Sequence, residues 1–133
     1  MTGLVLKLAP KERLLINGAV IENGDRGARI RIRTPGARIL RLRDAVHPDE
    51  ATTPVKLACY DVQLVLSGDR HPEDGHRLIL GHLEKLSQVF DDRDSRTILS
   101  EATDSVLAKN FYRALRLLRD LLPREARLLA SRQ

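Results

Sequence analysis

Aromatic residues are scarce in this chain: two Phe, two Tyr and no Trp among 133 residues. All four, Tyr60, Phe90, Phe111 and Tyr112, lie after residue 59. The first third therefore has no ring on which a base could stack, which excludes the aromatic-faced sheet of common RNA-recognition modules. A single cysteine, Cys59, excludes an internal disulfide and fits a reducing compartment. It falls on the apolar stripe of a predicted helix, so it reads as a small buried hydrophobe and not a nucleophile. No segment approaches the eighteen or so consecutive apolar residues of a membrane span, and no basic start leads into an apolar run with a small-residue cleavage site. A cytoplasmic protein is expected, with no membrane association.

Chemistry-bearing patterns are equally sparse. His47, His71, His76 and His82 are scattered without the spacing of a zinc set, so no metal site is expected. There is no glycine-rich phosphate loop and no implied cofactor. Asp91, Asp92 and Asp94 precede a predicted helix, where negative charge complements the helix dipole and needs no acid/base role. An enzyme is not expected.

What the chain does have is arginine. From Arg26 to Arg33, and again from Arg38 to Arg43, arginines alternate with aliphatic or small residues. Period two marks a strand with one face in a core and the other in solvent. Arg29, Arg31 and Arg33 are expected on one side of the first strand, against Ala28, Ile30 and Ile32. Arg41 and Arg43 are expected to point away from the core in the second, against Leu40 and Leu42. Like charges on neighbouring strands repel, so such a face suits a polyanionic partner. Charge is also unevenly placed. Residues 1–46 hold ten Lys and Arg against four Asp and Glu, a balance of +6, whereas residues 47–133 hold thirteen against fourteen. The whole excess behind the net +5 sits in the first third. Arginine supplies permanent charge for phosphates and a planar fork for base edges.

The pattern predicts an α+β fold: a small antiparallel sheet or open barrel of about five strands, then about four helices. The strands run through Leu4–Leu8, Leu14–Ile16, Ala19–Ile21 and the two arginine segments. Asn17-Gly18 suits a two-residue hairpin turn, and Pro35-Gly36 is expected to turn one arginine strand into the next. Residues 1–46 read as a basic β-rich part and residues 47–133 as a helical part packed against it in one compact unit. Thr53-Pro54 reads as a helix start, and Val55, Ala58, Cys59, Val62, Val65 and Leu66 keep helical spacing to Ser67-Gly68. A second helix starts near Pro72, with Ile79, Leu83, Leu86 and Phe90 inward. A third is expected to start at a Ser95 cap, with Ile98, Ala102 and Val106. A fourth carries Phe111, Leu115, Leu118 and Leu122, and Pro123 either ends it or restarts a short helix. Arg113, Arg116 and Arg119 fall near one side of that fourth helix, as a solvated or docking face.

The segments LVLKLAPKERLLINGAVIENGDR (Leu4–Arg26), PDEATTPVKLACY (Pro48–Tyr60) and FYRALRLLR (Phe111–Arg119) resemble the FlbT family of flagellar-biosynthesis regulators, with INGAVIENGDR the most specific part. That resemblance implies a post-transcriptional repressor that binds the 5′ untranslated region of flagellin mRNA and promotes its degradation. Some relatives act positively, so the sign of regulation is not implied. A FlaF-family protein is the implied partner. A fainter similarity, through KERLLINGAV, IRIR, Pro35 and Leu42-Arg43-Asp44, is to the carbon storage regulator family of small mRNA-binding β proteins. There Arg43 would match an RNA-contacting arginine. That family's first-strand arginine pair is replaced here by Leu8 and Ala9, so either Lys7 substitutes in part or the RNA surface lies at Arg29, Arg31 and Arg33. The expected RNA-binding set is therefore Lys7, Arg29, Arg31, Arg33, Arg41 and Arg43. The alternative is a protein-interaction adaptor or assembly chaperone acting through flagellin or FlaF. Open sheet edges make a homodimer a further expectation.

Overall fold

The computed structural model describes residues 3–17, 19–42 and 45–131. It is α+β, and the chain divides into two compact units, Met1–Ala45 and Val46–Gln133.

The first unit carries β1 (Leu4–Leu8), β2 (Arg13–Ile16), β3 (Ala19–Glu22), β4 (Ala28–Ile32) and β5 (Ile39–Arg41). These strands form two antiparallel sheets and no closed barrel. One is the β1–β4 ribbon, and the other has the order β3-β2-β5. Ile16 opposes Ala19 in the β2–β3 ladder; of the expected Asn17-Gly18 turn, Gly18 lies outside the described residues. Asn17 adopts φ 52°, the left-handed conformation that such a turn requires. The second expected hairpin does not form. Pro35-Gly36 does turn the chain, but β4 pairs with β1 and β5 pairs with β2, so the two arginine strands are not neighbours in a ladder. Their separation removes the expected repulsion between them.

Strand β2 explains where the arginines go. Leu14 and Leu15 are adjacent, so they lie on opposite faces of the strand, yet both are fully buried. Both faces of the three-stranded sheet are therefore covered. Arg41 stands directly opposite Leu14, and cross-strand partners share a face. That face is interior, which corrects the expectation that Arg41 points away from the core. Its guanidinium is received by Glu12, with Nε 2.7 Å from Oε2 and an Nη donating to Oε1 at 2.8 Å. It also donates to the Lys7 carbonyl at 2.5 Å. The side chains of Arg41 and Glu12 are only 19% and 5% exposed. Glu12 Oε1 additionally accepts the Ala9 amide at 2.9 Å. Every oxygen of a buried carboxylate is thus satisfied, and the two-pronged geometry suits arginine and not lysine.

The second unit contains α1 (Pro54–Ser67), α2 (Pro72–Val89), α3 (Arg93–Leu107), α4 (Phe111–Asp120) and α5 (Leu122–Ala130), after a single 3-10 turn at Pro48–Glu50. Thr53 caps α1 with Pro54 at its first position, and Gly68 ends it at φ 85°. All six apolar residues expected inward from α1, and all four from α2, are buried. Helices α1, α2, α3 and α4 pack in a ring, each against its chain neighbour and α4 back against α1. Where α1 meets α2 there is no room for a side chain at residue 75. A Cβ on Gly75 would stand 2.2 Å from Val65 Cγ2.

Three details depart from the sequence pattern. Helix α3 is capped by Asp92, whose carboxylate accepts the Ser95 amide at 2.9 Å, so Ser95 sits inside the helix and is buried. Leu121, not Leu122, fills the core after Leu118, because α4 ends at Asp120 and Pro123 restarts the chain as α5. Buried Glu125 of α5 was unforeseen. It accepts hydrogen bonds from the Thr53 hydroxyl and from the Val55 amide, the latter at 2.8 Å, and so places negative charge at the start of α1. Cys59 is fully buried, and burial pushes its thiol up to about 12. No described helix is long and apolar enough to cross a membrane.

Two outcomes are expected. Arg41→Ala strands a buried carboxylate and should destabilise the protein by about 3 kcal/mol, whereas exposed Arg29→Ala should stay within about 0.5 kcal/mol, both read from urea unfolding. The second concerns acid. Hydrogen bonds from Ser95 hold the Asp92 carboxyl below its usual range. A folded-state pKa below the unfolded value adds stability that is complete above the unfolded pKa of about 3.9 and is lost as pH falls through the folded one. Asp92→Asn should therefore flatten the acid limb of the stability–pH curve and leave its neutral slope unchanged.

Candidate nucleic-acid interface

The β1–β4 ribbon is built by alternation. Leu4, Leu6 and Leu8 stand opposite Ile32, Ile30 and Ala28, and share one face. The other face pairs Lys7 with Arg29 and Val5 with Arg31. Lys7, Arg29 and Arg31 are all exposed, as is Arg33 just beyond the strand. The ladder thus gathers three of the six expected residues onto one surface and leaves Arg33 at its end. Lys7 and Arg29 occupy directly opposed positions, an arrangement that costs stability when two like charges face each other.

No described carboxylate of the first unit relieves this cost. The described part of the first unit contains three: Glu12, Glu22 and Asp25. Glu12 is held by Arg41. Glu22 faces Arg13 across the β2–β3 ladder at 2.7 Å, and that guanidinium holds its carboxyl below the usual range. Asp25 pairs with Lys11 at 2.8 Å. Among the described residues, Lys7, Arg29, Arg31 and Arg33 make no ion pair. The ribbon therefore presents exposed, uncompensated cations at strand spacing, about 7 Å between alternate side chains, a density suited to a phosphate backbone.

Arg41 does not join this surface, because the Glu12 pair holds it within the unit. Arg43 lies outside the described residues. Glu12 was the residue that sequence reasoning missed. Its signal was present: a lone acid in a basic segment beside a strand with apolar residues on both faces.

Elsewhere, no described group of three or more His, Cys, Asp and Glu side chains is arranged to hold a metal ion. His82 Nε2 lies 2.6 Å from Asp61, which also accepts from Arg70 at 2.5 Å, an interhelical clasp of α1, its following loop and α2. His47 and His71 each accept a backbone amide through Nδ1 at a helix or turn start. Arg113 and Arg116 of α4 are exposed and Arg119 is half-buried.

The sequence was compared with known proteins. The profile of the family described as "Flagellar protein FlbT" matches residues 4–129. A Rhodopseudomonas palustris protein named "Probable flagellum biosynthesis repressor protein FlbT" is 33% identical over 127 residues, covering 96% of this chain and 98% of the relative. A protein of the same name from a Caulobacter species (strain K31) is 31% identical over 122 residues, 92% of each chain. The Caulobacter vibrioides "Flagellum biosynthesis repressor protein FlbT" is 29% identical over 122 residues, 92% of this chain and 86% of its own. No solved structure matches. With a match that runs from β1 into the last turn of α5, the chain belongs to the FlbT family of flagellar proteins.

Proposed function

We infer that this protein is a repressor of flagellum biosynthesis that acts on message: it binds the 5′ untranslated region of flagellin mRNA and promotes its degradation. Family membership and the repressor names of its relatives support the biological role. The observation that carries the RNA contact is the Lys7–Arg29–Arg31 face, three exposed cations on paired strands with no described carboxylate in reach. Like-charge repulsion disfavours that face when it is empty, and a polyanion reverses the sign of the interaction.

The mode of binding follows from the residue types. No aromatic residue precedes Tyr60, so contacts are guanidinium and ammonium groups to phosphates, with arginine forks available for base edges. Arg33 extends the track beyond the ribbon. Arg41 acts behind it as a positioning residue, since its hydrogen bond to the Lys7 carbonyl fixes the strand that carries Lys7. Degradation is assigned to cellular nucleases that meet the occupied leader, and the protein itself acts by binding alone. A FlaF-family protein, flagellin or a second copy of the chain are the partners to test beside RNA.

The test is a mobility-shift titration against a flagellin leader and a scrambled control at two ionic strengths. Each neutralised phosphate on a single strand contributes a log–log salt slope of about −0.7, so the triple variant Lys7→Ala/Arg29→Ala/Arg31→Ala should flatten the slope by about 2 and weaken binding. In cells the same variant should lengthen flagellin message half-life. Unchanged leader affinity and slope in a folded triple variant would remove the assignment.

A further inference from the structure

Strand β3 is an open edge. Among the described residues its one ladder neighbour is β2, in the order β3-β2-β5. All four of its residues are exposed, and two are large and apolar: Val20 at 62% and Ile21 at 38%. Which of its backbone groups face outward follows from neighbouring bonds. Opposed residues in an antiparallel ladder alternate between pairs that exchange hydrogen bonds and pairs that do not. The Asn23 amide donates to the Glu12 carbonyl at 2.8 Å, just beyond the Arg13–Glu22 pair. On the other side of β2, the Asn17 amide donates to the Arg38 carbonyl at 2.8 Å, just beyond Ile16–Ile39. Both bonds make Leu14–Ile21 an exchanging pair and Leu15–Val20 a non-exchanging one. The amide and carbonyl of Val20 therefore point away from β2, toward the open edge. Edges of this kind are usually guarded by lysine, proline, a bulge or an inward charge. Strand β3 has no lysine or proline, its register is unbroken, and its one charge, Glu22, is held by Arg13.

We propose that β3 pairs antiparallel with β3 of a second copy of this chain, Val20 opposite the second copy's Val20, to make one six-stranded sheet. The strand is complementary to itself in three respects. First, the outward amide and carbonyl belong to the same residue, so two copies related by a two-fold axis exchange two hydrogen bonds at Val20. Such closed symmetry uses up both edges and stops. Second, charge selects the register. A two-fold axis normal to the sheet passes between a residue and its own copy. Centred on Val20, the two Glu22 residues lie four positions apart along the seam, about 13 Å. Centred on Ile21 they lie two apart on one face, about 7 Å, and centred on Glu22 they meet. A centre on Ala19, at the end of the strand, pairs nothing else of β3. Third, Leu40, Leu15 and Val20 are successive cross-strand partners and share a face. Across the seam that apolar row continues through Val20, Leu15 and Leu40 of the second copy. Leu40 and Leu15 are 5% and 2% exposed, and the second copy gives Val20 the apolar neighbour that they already have. The dimer carries two Lys7–Arg29–Arg31 faces, and a leader held by both gains effective concentration. That consequence rests on the RNA-binding reading above; the pairing itself does not.

The experiment is sedimentation of the full chain, without RNA, over a range of protein concentrations. The seam is short, so wild type should pass from monomer to dimer in the micromolar range. Val20→Lys and Val20→Glu each set like charges directly opposite at the two-fold axis. Each alone should raise the dissociation constant by about tenfold or more. Mixed in equal amounts, the two variants should dimerise again, because opposite charges then meet. Val20 is exposed, so both should keep the wild-type circular dichroism; the wild-type titration stands even if a variant fails to fold. Wild type that stays monomeric throughout overturns the pairing, whatever other strand the edge accepts. A dimer that survives Val20→Lys alone overturns it in this register, and so does a mixture that stays monomeric. All three outcomes leave the RNA-binding reading to its own mobility-shift test.

Discussion

The Glu12–Arg41 pair decides what the first unit can present. One buried carboxylate takes a guanidinium in two-pronged fashion, accepts the Ala9 amide, and leaves that guanidinium close enough to donate to the Lys7 carbonyl. Three segments meet there: the end of β1, the turn before β2 and the last residue of β5. A two-stranded ribbon is marginal by itself in water. The pair anchors β1 to the three-stranded sheet and so steadies the ribbon that carries the exposed cations. Buried pairs of this kind are costly to break from one side, which gives the anchor its hold.

This pair also sorts the arginines by role. Sequence alternation treats all of them alike, as outward residues of half-buried strands. Solvent exposure reverses that view for Arg41 and retains it for Arg29, Arg31 and Arg33. Glu22 and Asp25 are engaged by Arg13 and Lys11, so the described acids of the unit are spent away from the ribbon face. Lys7, Arg29, Arg31 and Arg33 are thereby left exposed and without an ion pair among the described residues.

Local signals made much of the fold legible. Asn17-Gly18 marked a hairpin because few side chains accept the left-handed φ that Asn17 adopts, and Thr53-Pro54 marked a helix start through capping chemistry. The apolar spacing of α1 and α2 placed every expected core residue. Non-local choices were not legible. Two strands with the same arginine pattern gave no indication that they would lie in different sheets, because pairing depends on which apolar faces cover which. Likewise, Arg41 looked outward until Leu14 was seen to be buried opposite it. Of the candidate surface, the residue types were readable, but the pairing of Lys7 with Arg29 required the β1–β4 register.

Glu125 has a consequence for how the helical unit comes into being. Its carboxylate accepts the Val55 amide from a position seventy residues further along the chain. A ribosome that has just released α1 from its exit tunnel therefore releases a helix whose opening turn lacks its acidic anchor. That anchor arrives only after α2, α3, α4 and the start of α5 have been translated. The capped form of α1 can therefore be completed only once α5 has been made.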